Sequence, residues 1–284
     1  MAALVATAAA PAHDVAFWRA VAQAKYAPPP GSDIPALTDE LAGMLSSPDP
    51  ELRDDIAYST LTSWIYQQKI LDADALRPLA ERLLANMRRG IGEQSTDSVF
   101  GRSFSALMLS VIVARDNADR FLDASAWRRI ESAALAYLAD EQDLRGYDPD
   151  KGWMHSAAHT ADLLKFLGRS RYLDAAGQRR LLDAIADKLT KASVVFTYGE
   201  DERLARAALS LIARSDFDGQ QFAAWLQRSR PAMAEHPTVA QLRAAQNWKN
   251  MLAKLEVILS NDEQLSDAAT EARTALRAAL KPLF

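Results

Sequence analysis

The sequence predicts an all-α fold, an α-solenoid or curled α/α helical array of HEAT-like helix pairs with about a dozen helices. Three observations carry that expectation. Alanine and leucine dominate, and they lose little side-chain freedom in a helix; Gly (11) and Pro (12) are few among 284 residues. Apolar residues recur with a period near 3.6 almost everywhere, and no run reads as a convincing strand. Short Pro, Gly, Asp and Asn signals separate the helical stretches, so successive helices are antiparallel neighbours. Helix pairs begin roughly every 40–50 residues, near the length of HEAT units, without a clean internal repeat.

Each element has its own start or stop signal. The first helix runs from about Asp14 to Lys25 and ends before Pro28-Pro29-Pro30; the second covers about Pro35 to Leu45. The third opens at Asp49-Pro50, where Asp caps and Pro suits the first helical position, and reaches about Gln68. Asp72 caps the fourth, which ends at Gly90. The fifth, about Asp97 to Ala114, is strongly apolar, and the sixth covers about Ala124 to Ala139. The seventh is placed at Lys151 to Leu167, stopped by Gly168, and the eighth at Ala175 to Ala192. Ser193 to Tyr198 has β-type residues but reads as a helix end and loop. A ninth helix follows Tyr198-Gly199 to about Arg214. Asp218 with Gln221, and Thr238 with Gln241, look like capping boxes for two more, and Asn261 with Gln264 starts the last.

Bulk properties exclude several function classes. Net charge is -4, and no long basic run occurs, so binding of nucleic acid through phosphate neutralisation is not indicated. No apolar run is read as a transmembrane segment. Cysteine is absent, which removes disulfides, thiolate metal ligands and cysteine nucleophiles. No Gly-rich phosphate loop and no GxSxG motif is present. Met1 to Ala12 is small and apolar, resembling the second half of a signal peptide without its basic region, or a disordered Ala-rich leader. The first reading implies an exported or periplasmic protein, the second a cytoplasmic one. Either way, residues 13–284 are expected to form a single all-helical domain.

The stretch YDPDKGWMHSAAHTADLL, Tyr147 to Leu164, holds the most chemistry. On a helical wheel His155, His159, Asp162 and Phe166 share one face, opposite Trp153, Ala157, Thr160 and Leu164. Two imidazoles at i and i+4 with a carboxylate one turn on can hold a divalent metal; this is the one cofactor the sequence suggests. The Glu that would complete the zinc-protease motif is missing after His155. The alternatives are a metal-free ligand or acid–base site, and a buried network in which His159 and Asp162 bond each other or nearby backbone.

The residues around this stretch resemble a bacterial family of uncharacterised proteins, the domain of unknown function 2785 (DUF2785). The resemblance rests on Asp143-Leu144-Arg145-Gly146-Tyr147, Lys151-Gly152-Trp153-Met154-His155 and Ala158-His159-Thr160-Ala161-Asp162-Leu163-Leu164. It extends to Arg102-Ser103-Phe104-Ser105 and to Glu200-Asp201-Glu202-Arg203-Leu204. It implies an all-helical fold and supplies positions without roles. Arg102, inside an apolar helix, needs a carboxylate or a route to water. Asp201 and Glu202 suit a first helical turn. Asp143 and Arg145 precede the histidine stretch, and Asp148 and Asp150 are placed to cap it. The ligand-binding candidates are therefore His155, His159, Asp162, Arg102, Asp143, Arg145, Trp153, Asp201 and Glu202. The expected function is binding of a ligand or protein partner through a concave polar face. The alternatives are a metal-dependent or acid–base, hydrolase-like enzyme using the histidine cluster, and a scaffold with a buried polar network.

Overall fold

The computed structural model describes residues 13–262 and 264–283, so the leader expected at Met1 to Ala12 lies outside the described residues. The fold is all-helical. Its elements are α1 (Val15–Gln23), α2 (Ile34–Met44), α3 (Ser59–Thr62), α4 (Ala73–Asn86), α5 (Ser98–Asp119) and α6 (Ala124–Asp140). They continue with α7 (Ser156–Leu167), α8 (Ala175–Lys191), α9 (Glu200–Ile212), α10 (Gly219–Arg228), α11 (Val239–Ser260) and α12 (Asp267–Leu280). Wide π-helical turns, Glu51–Tyr58 and Ser63–Gln67, extend α3 on both sides into one helix close to the predicted span.

Capping explains most starts. Asp14, Asp33, Asp72, Asp123, Asp174 and Asp218 each accept a backbone N–H from the first turn of the helix that follows. Thr238 and Gln241 form the expected reciprocal capping box. The last helix begins later than expected, at Asp267 under the Ser266 cap. Asn261 instead closes α11, whose apolar stripe runs on through Leu255 and Leu259.

Packing follows the chain. α5 packs along α7, α7 along α9, and α9 along α11. In addition α4 packs on α5, α6 on α7 and α8, and α8 on α11, while α10 and α12 pair at the C-terminal end. One apolar core runs through all of it, with Trp18, Trp64, Trp127, Trp225 and Trp248 fully buried. α5 is long and apolar enough to cross a bilayer, but 83% of its apolar window is buried by the protein's own helices. It is a buried core helix of the fold.

The seventh helix is shorter than the periodicity predicts. Tyr147–Asp148 (β1) and Gly152–Trp153 (β2) pair antiparallel as a minimal hairpin, and α7 starts only at Ser156. Asp148 does not cap α7. Its Oδ1 accepts the N–H groups of Asp150 and Lys151, both at 2.9 Å, and so closes the hairpin turn. Gly152 has φ +73°, and a Cβ there would press on Pro50 at 3.2 Å and the Arg53 guanidinium at 3.1 Å. The hairpin is pinned from below by Arg53, whose Nη2 donates to the Lys151 carbonyl at 2.7 Å and to Asp54 at 2.6 Å. The same guanidinium lies 4.1 Å over the Phe100 ring and 4.9 Å over Phe104.

Candidate functional site

His155 is the N-cap of α7, with left-handed backbone (φ 52°), so the wheel that placed it on a helical face does not apply. Its carbonyl accepts the His159 N–H at 2.9 Å, which starts the helix. Its ring is held on both sides. Trp153 stacks on it at 4.6 Å, and its Nε2 lies 2.9 Å from the Tyr198 carbonyl. A carbonyl only accepts, so Nε2 carries the hydrogen. Gly146 makes room for this loop, since a Cβ there would fall 2.1 Å from the Tyr198 ring.

His159 sits one turn deeper, between α7 and α5. Its Nδ1 is 2.8 Å from Ser103 Oγ, and its ring meets Phe104 edge-on at 4.8 Å and His155 at 5.7 Å. The single hydrogen of Ser103 goes to the Met154 carbonyl, so Ser103 accepts from His159 and the imidazole hydrogen is on Nδ1. Burial pushes the His159 pKa well below its ordinary value, and the neighbouring His155, Arg203 and Arg53 push the same way. Burial also lowers His155, partly offset by the Tyr198 carbonyl. Both imidazoles are neutral at pH 7. They form the middle of an aromatic ladder: Tyr58, Phe104, His159, His155 and Trp153, ending on Tyr147 and Tyr198.

The three residues expected to hold a metal do not converge. Both histidines spend one nitrogen on fixed partners. Asp162, two turns from His155, points away toward cations: its Oδ1 accepts from Lys165 Nζ at 3.0 Å and its Oδ2 from Arg203 Nη1. Among the described residues no group of three His, Asp or Glu side chains is placed to hold a metal ion. In the buried-network alternative, His159 and Asp162 do not bond each other; their partners are Ser103 for His159, and Lys165 and Arg203 for Asp162.

The remaining candidates fall into separate groups. Arg102 is fully buried and bonds Glu141 through Nε at 2.6 Å and Nη2 at 3.2 Å. Its Nη1 caps the carbonyls of Arg89 and Gly90 and the Ser98 hydroxyl. Burial opposes the charge, but the bonded Glu141 carboxylate outweighs it and raises the Arg102 pKa. Glu141 also accepts the Asp143 N–H at 2.9 Å, and Asp143 in turn holds Arg145 and the Ser95 N–H. Arg102, Asp143 and Arg145 thus form one clamp that ties the loop before the hairpin to the start of α5. Trp153 is the half-exposed rung between Tyr147 and His155. Asp201 turns its carboxylate to the Glu202 N–H in the first turn of α9, and Glu202 pairs with Arg206. Neither bonds the histidines.

Glu200, part of the family motif, is not among the candidates named from the sequence. It is buried one residue before Asp201, accepts the Tyr198 N–H at 2.8 Å and approaches His155 Nε2 to 3.9 Å. Its place directly after Gly199 was the available signal, because N–H groups of a helix entry collect carboxylates. Ser103 and Tyr198 were visible only as neighbours of other motif residues.

Where the polar stripe reaches the surface, a groove of about 460 Å³ opens between the helix around α3, α5, α7 and α9. Tyr58, Thr62 and Tyr66 form one wall and Leu107 and Val111 the floor, with Asp162, Lys165, Phe166, Arg169 and Arg203 opposite. Tyr66 is half exposed, and burial raises the Tyr58 phenol pKa. Tyr58, Thr62 and Tyr66 are spaced i, i+4, i+8, a face that periodicity could have exposed. Of the predicted candidates only Asp162 lines this groove.

The profile of the family described as "Protein of unknown function (DUF2785)" matches residues 87–259, from the end of α4 to the end of α11. No match is found among curated proteins or among solved structures.

Proposed function

Because this chain belongs to the DUF2785 family, whose description assigns no activity, its role rests on geometry, and we propose that it is a binding protein. Its ligand lies in the groove between Tyr58, Tyr66 and Arg203. The observation that carries this reading is the composition of the groove. Aromatic and aliphatic side chains form its walls and floor, three cations face one carboxylate, and Tyr and Arg are the residues that most often anchor bound partners. The ligand class that fits is an amphipathic anion: an apolar part against Tyr58, Tyr66 and Phe166, and an acidic group toward Lys165 and Arg203. The packing order of α5, α7, α9 and α11 in a row, with α4, α6 and α8 packed against them, supports an α-solenoid of HEAT-like pairs. In that reading the groove lies on the inner face.

The acid–base reading is weaker because its base is committed. Ser103 is fully buried and gives its hydrogen to a backbone carbonyl, so Ser103 and His159 are not a nucleophile and its base. The histidines instead hold the wall against which the groove is built. Thermal-shift screening of the full chain against a library of aromatic and aliphatic acids tests the proposal. Hits are expected whose shift disappears in Tyr66→Ala and in Arg203→Ala, while Tyr66→Ala keeps its stability within about 0.5 kcal/mol in the absence of ligand. Hits that bind both variants as they bind the parent would refute it.

A further inference from the structure

A second concavity, about 580 Å³, lies where α5, α7 and α9 end, and it contains four arginines. Two of them are explained by the fold. Arg214 donates to the carbonyls of Gly168, Ser170 and Leu173, and Arg171 holds Asp116 and the Leu122 carbonyl. They neutralise the negative ends of the helices, as cations at C-termini do. The other two are not explained in this way. The side chains of Arg120 and Arg169 make no hydrogen bond and no ion pair among the described residues; Arg169 only rests on Phe166, 5.2 Å from its ring centroid. Asp216 is the one carboxylate lining the concavity, and it is already bonded to Arg214.

Arg120 adds a backbone observation. It caps α5 in the left-handed region (φ 57°), where glycine suits the turn and a side chain costs about 1 kcal/mol. The turn alone favours glycine, so the backbone conformation does not call for the arginine side chain. Two unpaired guanidiniums thus face a space to which Arg, Ser and Asn contribute most of the lining residues, on a chain of net charge -4. A compact, strongly charged anion with oxygens on several sides suits four converging arginines, because each guanidinium offers a planar fork of donors.

We propose that this cleft is an oligophosphate site, in which Arg120 and Arg169 bind adjacent phosphoryl groups and Arg171 and Arg214 shield them from the helix carbonyls. The site is separate from the Tyr66 groove, apart from the shared Arg169, and neither proposal depends on the other. Calorimetric titration of the full chain with inorganic tripolyphosphate and with adenosine triphosphate tests it. Saturable binding is expected for both; equal affinity assigns recognition to the phosphates alone, and tighter adenosine triphosphate adds the organic part.

Arg120→Gly and Arg169→Gln are each expected to weaken binding about ten-fold or more. Arg120→Gly is also expected to leave the thermal midpoint unchanged or raise it, which a purely structural arginine would not do. Arg128→Gln with Arg129→Gln, in a different basic concavity beside α6, serves as the control and is expected to bind like the parent. The proposal is overturned if neither probe saturates. It is equally overturned if binding survives Arg120→Gly, or if the control pair loses it to the same degree.

Discussion

Arg102→Met is expected to lower folding stability by about 3–5 kcal/mol at pH 7, read as a fall in the urea midpoint. The size follows from what is left behind. Glu141 stays buried as a carboxylate without its partner, and the carbonyls of Arg89 and Gly90 lose their shared donor. Breaking a buried pair costs far more than the pair contributes against an apolar substitute. The double variant Arg102→Met/Glu141→Gln is therefore expected to be more stable than Arg102→Met alone. The neutral amide removes the stranded charge and still accepts from the Asp143 N–H. Independent, additive losses for the two substitutions would contradict the clamp, because groups in contact do not add.

Acidification is expected to give the second large effect. His155 and His159 have folded pKa values below their unfolded value of about 6.5. Below pH 6.5 the unfolded chain takes up protons that the folded chain refuses, so this contribution to stability is complete above 6.5 and is lost as pH falls toward the folded values. The slope is at most about 1.4 kcal/mol per pH unit for each histidine, reached only between its folded and unfolded pKa values. Glu200 and Asp54 act in the opposite direction, because burial raises their folded pKa and lets the native state take up protons first. The difference between parent and His159→Gln isolates the histidine. The variant is expected to be less stable at pH 7, through its altered contact with Ser103, and to lose less stability between pH 6.5 and 5. Parallel curves for parent and variant would show that His159 is not refused its proton.

The fold was legible because its signals are local. Asp caps, Pro stops and the apolar period each act within one or two turns, and they located nearly every helix start. Where the structure departs from the periodicity, the cause is a contact distant in sequence. Lys151 to His155 has the composition of a helix start, yet Arg53, about a hundred positions earlier, bonds the Lys151 carbonyl and holds a hairpin. That shift takes His155 off the helical face and turns a three-residue stripe into two separate parts. His155 and His159 belong to the aromatic ladder, and Asp162 belongs to the groove.

The site was legible only as a location. Arg102 could be read as needing a carboxylate, but nothing near it in sequence marks Glu141, 39 residues on. The arginines around the second cleft each sit just beyond the end of a helix, where a dipole argument accounts for them, and only their partners separate Arg120 and Arg169 from Arg171 and Arg214. Tyr58 and Tyr66 lie on a helix widened by π-turns, before the stretch that matches the family. Charge and spacing identify which groups are available; whether they are already satisfied is a tertiary property.

The central claim is that His155 and His159 are a neutral support of fixed tautomer behind the Tyr58 wall, and that the proposed ligand contacts begin beyond them at Asp162. Nitrogen-15 NMR of the histidine side chains across pH 5 to 8 tests it most directly. The account predicts His155 protonated on Nε2 alone and His159 on Nδ1 alone at pH 7, with His159 still neutral where an ordinary histidine is half charged, near pH 6.5. A His159 that titrates at 6.5 or above, or that carries its hydrogen on Nε2, would contradict it.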